Sequence, residues 1–117
     1  MAGGQDDLGE LLLPYLHLAR RSGSLALGHR AVKQSLSKGR CALLLLASDA
    51  GASLRRLETG DTPLLELAAD RRRLGAWIGR EELSILGVTS ADLAAGMLAK
   101  VAAEPGGHEA QEDRNGG

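Results

Sequence analysis

Residues 24–49 read SLALGHRAVKQSLSKGRCALLLLASD, and the pattern of this stretch decides the fold. Ser24 to Leu27 alternates polar and apolar, as a short strand does. Gly28 then opens a helix that runs to about Lys38. In it Val32 and Leu36 lie four apart and face the core, with Ala31 and Ser35 flanking them. Arg30, Lys33, Gln34 and Ser37 make the opposite, polar stripe, and Gly39 ends the helix. Ala42 to Ala47, ALLLLA, is apolar on both faces. A run of that kind bounded by turn signals reads as a central strand covered by helices on each side. From Arg20 to Arg40 the chain carries six basic residues and no acidic one. A basic helix start beside a buried strand is a place to hold phosphate.

Working outward, a first helix is predicted from about Leu8 or Pro14 to Ser22. Proline fits near a helix start, and Gly23 supplies the stop. Arg20 and Arg21 fall in its last turn, where cations suit the helix dipole. Beyond the central strand, Ser48 and Asp49 are placed to cap a helix from roughly Ala50 to Glu58, with Arg55 and Arg56 on a solvated face. Thr59 to Thr62 is a turn and Pro63 to Ala68 a third strand. Asp70 caps a short helix that Gly79 closes. Arg71, Arg72 and Arg73 crowd the first turn of that helix, where the dipole disfavours cations, so the run faces an anion or solvent. Residues 78–83 read as a loop and Ser84 to Val88 as a fourth strand. Ser90 caps a last helix with Leu93, Met97 and Val101 as its buried stripe. Strands alternating with helices give α/β class: a three-layer α/β/α sandwich on a mixed four-stranded sheet.

The chain of 117 residues is long enough for one domain with a single core. Residues 8–103 form that domain. Residues 1–7 are small and polar, and residues 104–117 read as a disordered acidic tail with nothing to bury. The formal charge of −1 hides an asymmetry: residues 8–102 hold 13 basic and 9 acidic groups. This favours an anionic partner without demanding one. No apolar run is long enough for a membrane span, and the first residues lack the basic region of a signal peptide, so a cytoplasmic protein is expected.

Several kinds of chemistry have no support. Cys41 is alone, which excludes a disulfide framework and a cysteine metal site, and it reads as a small core residue. His17, His29 and His108 share no metal-ligand spacing. The glycines form neither a P-loop nor a dinucleotide fingerprint. Neither a Ser-His-Asp nor a Cys-His arrangement can be argued from spacing, and Glu81-Glu82 reads as a solvated pair. The expectation is therefore no enzyme, no cofactor, no small-molecule substrate and a monomer. Tyr15 and Trp77 are the only aromatics. Modules that stack splayed bases need aromatic platforms, so any RNA would be read by backbone and shape.

Read together, LARRSGSLALGHRAVKQSLSKGRCALLLLASDA and LGAWIGREELSILGVT resemble the kink-turn RNA-binding ribosomal proteins, the seven-Ae family, and within it the small bacterial YlxQ-like branch. The likeness runs from about Leu12 to Val101. It rests on an ordered set: A-R-R-x-G-x-L-x-x-G, a basic helix, L-L-L-A-S-D-A, and L-G-x-x-x-G before the last strand. The resemblance implies a seven-Ae-like sandwich and a way of binding RNA. The glycine-led helix start would enter the widened groove at sheared G·A pairs, and the loop before the last strand would cover a flipped-out nucleotide. Carried over, the first surface is Gly28, His29, Arg30, Ala31, Lys33 and Gln34. The second is Arg80, Glu81, Glu82, Leu83 and Ser84, with Ser48 and Asp49 beneath. The family's G-x-N-E-x-x-K is here G-H-R-A-V-K-Q, with Arg30, Ala31 and Gln34 replacing Asn, Glu and Lys. Those replacements leave a second reading open, a protein-interaction domain that kept the fold and lost specific RNA binding.

Overall fold

The structure is a computed structural model that describes residues 9–103. The expectations for residues 1–7 and 104–117 lie outside the described residues. After helical residues 9–11, nine elements follow in order: α1 (Leu13–Arg21), β1 (Leu25–Leu27), α2 (His29–Ser37), β2 (Leu43–Leu46), α3 (Ala52–Arg55), β3 (Leu64–Glu66), α4 (Arg71–Ile78), β4 (Ile85–Val88) and α5 (Ala91–Ala103). The strands form one sheet in the order β1-β4-β2-β3. β4 runs antiparallel to β1 and to β2, while β2 and β3 are parallel, so the sheet is mixed.

The unbroken leucine run has a simple cause. Successive side chains of a strand point to opposite faces, so a strand covered on both faces must be apolar throughout. Leu43 and Leu45 enter a core with Leu12, Leu16, Leu74, Ile78 and Met97, beneath α1, α4 and α5. Leu44 and Leu46 enter the other core with Val32 and Leu54, beneath α2 and α3. All four leucines are buried. Each fully buried leucine contributes about 1.5–3 kcal/mol relative to exposure, which makes β2 the centre of the three layers. Gly87 of β4 lies opposite Leu44. A Cβ there would stand 2.9 Å from the Cys41 Sγ, so the glycine admits that half-buried thiol beside the strand.

Turn chemistry sets most boundaries as the sequence predicts. Pro14 sits in the first turn of α1. Gly28 and Gly39 bracket α2 with φ of +92° and +68°, and Gly79 ends α4 in the left-handed region. The Asp70 carboxylate accepts from the Arg73 N–H at 2.9 Å, and the Ser90 hydroxyl accepts from the Leu93 N–H at 3.2 Å. On α2 the buried pair is Val32 and Ser35, with Leu36 only half-buried. On α5 the buried pair is Ala94 and Met97, flanked by half-buried Leu93 and Val101.

Two expectations need correction. The helix after β2 is four residues long and its N-cap is Gly51, with no side-chain cap, so neither Ser48 nor Asp49 caps it. Asp49 accepts instead from the backbone N–H of Arg71 at 2.9 Å, at the start of α4. The parallel pairing explains the exchange. Parallel strands end side by side, so the residues after β2 meet the helix that follows β3. Arg55, in turn, is not simply solvated. It forms a two-pronged bond with Glu66, at 3.1 and 2.9 Å.

Candidate functional site

β1 ends, β2 ends and β4 begins at one edge of the molecule, because Leu27 pairs with Leu86 and Leu46 with Ile85. Backbone bonds tie the chain there: the Gly28 N–H donates to Ile85 O at 3.0 Å, the Ala47 N–H to Ser84 O at 2.9 Å, and the Ser48 N–H to Ala69 O at 2.9 Å. The start of α2, the Ser48-Asp49 turn and the loop of residues 80–84 are thus gathered at one end of the sheet. Along the chain these segments lie far apart, and only the family resemblance implies that they meet.

Gly28 stands at φ +92°, ψ 170°, a conformation essentially confined to glycine. No side chain caps α2, and its first turn holds no acidic residue. His29, Arg30, Lys33 and Gln34 are exposed around one shallow open depression. Among the described residues no ion pair engages Arg30 or Lys33. Ala31 is half-buried against the core beneath α2, so its side chain lies behind that surface.

The second surface is built differently. Arg80, Glu81 and Glu82 are exposed and Ser84 is half-buried. Leu83 is 4% exposed and its side chain belongs to the core under α4, so only its backbone reaches this end. Arg71 holds the loop. Its carbonyl accepts from the Leu83 N–H at 2.9 Å, and its Nε lies 3.5 Å from Asp49 and 3.9 Å from Glu82. Gly75 lets the loop press onto α4, since a Cβ there would be 2.8 Å from Glu82 Cα and 2.9 Å from Arg80 O. From the opposite side Arg55 donates to Ser48 O at 2.9 Å and to Ala50 O at 3.1 Å, while its bond to Glu66 anchors it on β3. The Arg55 guanidinium holds the Glu66 carboxyl below the usual carboxylate range.

Arg55, Arg71 and Gly75 were therefore missed as members of this end of the molecule. The one available signal was the cost of three arginines at a helix start. The structure shows what offsets that cost: Arg71 meets Asp49 and Glu82, and Arg73 meets Glu10 at 3.4 Å. Among the described residues no cluster of His, Cys, Asp or Glu could hold a metal ion, and no helix is long and apolar enough to cross a membrane.

No family model matches the sequence, and no curated protein does. Solved structures do. A protein of unknown function from Bacillus halodurans C superposes with a TM-score of 0.68 at 29% identity, covering 76% of this chain and 94% of its own. The 15.5kD RNA binding protein of Giardia lamblia superposes with a TM-score of 0.64 at 16% identity, covering 83% of this chain and 89% of its own. The chain has a seven-Ae-like fold. The mixed four-stranded sheet between helices, expected from the strands and helices that alternate along the chain, matches the fold of these neighbours.

Proposed function

We propose that the protein binds RNA, recognising a kink turn or a related bent RNA, as a ribosome- or RNA-associated factor of the bacterial YlxQ-like branch. The observation that carries this reading is the meeting of α2's start and the 80–84 loop at one end of the sheet. Sharp bending crowds phosphates, and an uncapped helix start with unpaired Arg30 and Lys33 meets that charge. With no side-chain cap on α2, the backbone N–H groups of its first turn are left to meet the RNA. Residues 80–84, clamped by Arg71 and Gly75, present a rigid ledge against which an extruded nucleotide can lie. The likeness to an RNA-binding protein from Giardia lamblia supports the same direction.

The competing reading, a protein-interaction domain, draws on Arg30 and Ala31, which replace the Asn and Glu that help the family read guanines, and on Gln34, which replaces its lysine. A mobility shift separates the two. A kink-turn RNA is compared with a control lacking the G·A pairs. RNA recognition requires preference for the kinked RNA and affinity that falls as salt rises. Equal weak binding to both leaves only nonspecific attraction, and no binding at low salt selects the protein-interaction reading.

A further inference from the structure

Lys33 and His29 line two depressions, not one. The second lies between α2 and α3, among Lys33, Ser37, Ser53, Arg56 and Glu58, with half-buried Leu36 and Leu57 as its apolar lining. The two hollows adjoin at His29 and Lys33, so together they reach from the helix start to α3. Arg56 is exposed, and among the described residues no ion pair engages it. Its neighbour Arg55, by contrast, is committed to Glu66. The hydroxyls of Ser37 and Ser53 stand at the rim, and Glu58 sets the limit beyond which an anion is repelled.

We propose that this groove receives the phosphate backbone of a helical arm of the bound RNA, extending the contact beyond the bend. This rests on the RNA-binding reading above. The chemistry selects backbone over bases. The groove has no Phe, Tyr or Trp to stack on, and its one imidazole, His29, stands at the helix-start end; Tyr15 and Trp77 both pack on the opposite face of the sheet. Lys33 and Arg56, which no ion pair engages among the described residues, and the Ser53 hydroxyl suit phosphate oxygens. Ser37 Oγ, which donates to Gln34 O at 3.0 Å, can accept from a ribose hydroxyl. Such contacts position an RNA without reading its sequence. From Arg30 to Ser37 α2 advances about 10 Å at 1.5 Å per residue, room for about two successive phosphates of one strand.

The test uses the full chain with three probes: a kinked RNA with long arms, the same kink with arms cut short, and an unkinked duplex. Arg56→Ala should weaken the long-armed RNA several-fold and lower the dependence of log affinity on log salt by about one unit. It should leave the short-armed RNA unaffected, while Arg30→Ala weakens both kinked probes. Unchanged thermal melting of Arg56→Ala keeps the comparison clean, because this exposed side chain packs in neither core. Equal effects of Arg56→Ala on long and short arms, or none on either, overturn the groove assignment while leaving kink recognition standing. If the wild type ignores the kink but binds the duplex, and Arg56→Ala weakens that binding, the groove stands and the kink reading falls. Binding to none of the probes overturns both.

Discussion

At the scale of single residues, Gln34 is the most informative position. The family's lysine would stand here one turn along from Arg30, on the face proposed to meet RNA. Lys33 is rotated about 100° round the helix and replaces it only in part. Gln34→Lys should tighten binding to kinked RNA and steepen the salt dependence by about one phosphate contact, and Arg30→Ala should weaken it. Both side chains are exposed, so neither change should alter the fold, and titrations across a salt series read the outcome. If neither variant shifts affinity while the wild type binds, α2 is not the RNA surface. Gly28 is constrained differently: a Cβ there meets open space, so Gly28→Ala costs only backbone strain, about 1–3 kcal/mol by thermal or denaturant unfolding. Glu66 gives a pH signature. Its folded pKa is lowered by Arg55, so its contribution is present above the ordinary glutamate value of about 4.3 and is lost as pH falls through the lowered one. Melting curves of Glu66→Gln and wild type should differ slightly at neutral pH and converge in acid.

At the scale of elements, legibility followed the range over which each signal acts. β2 was readable because burial on both faces writes itself into consecutive residues, and α2 because glycine conformations bracket it. The cap by Asp49 was misassigned because sequence offers only the next helix, whereas the parallel pairing of β2 and β3 presents the one after. The Arg55–Glu66 bond needs α3 folded over β3 before the two charges meet. The site was legible as two segments, and their meeting at one end, with Arg71 and Gly75 bracing the loop, depends on the sheet order. That bracing predicts a split. Gly75→Ala drives a methyl into backbone atoms of Glu82 and Arg80, which cannot yield as a flexible side chain would. Overpacking of this kind costs typically 1–3 kcal/mol. Arg71→Met removes the pairs to Asp49 and Glu82 but keeps the backbone bond to Leu83. It should therefore leave melting nearly unchanged, since those charges are exposed, yet weaken kinked-RNA binding by loosening the loop. Equal losses of stability and affinity would make Arg71 merely structural.

At the scale of the whole molecule, charge is divided between parts of the chain. Residues 9–103 carry 13 basic and 9 acidic side chains, whereas residues 104–117 carry four acidic ones and a single arginine. Within the first group, Arg55, Arg71 and Arg73 are already matched by carboxylates of the same domain, so they add little field outside it. Arg30, Lys33 and Arg56 are left at the α2 side, where a polyanion would feel them. An acidic segment tethered to the same chain would compete with that polyanion for them, and salt would screen the competition over a Debye length of about 10 Å at 0.1 M. Deleting residues 104–117 should then strengthen RNA binding modestly at low salt, with the gain vanishing as salt rises. Melting temperature should stay nearly unchanged, because a segment holding only Ala110 and Pro105 among its apolar side chains has almost nothing to bury. A large fall in melting temperature on truncation would show that the segment docks on the domain. A gain in affinity that persists at high salt would show that it blocks the RNA surface by occupying it, not by its charge.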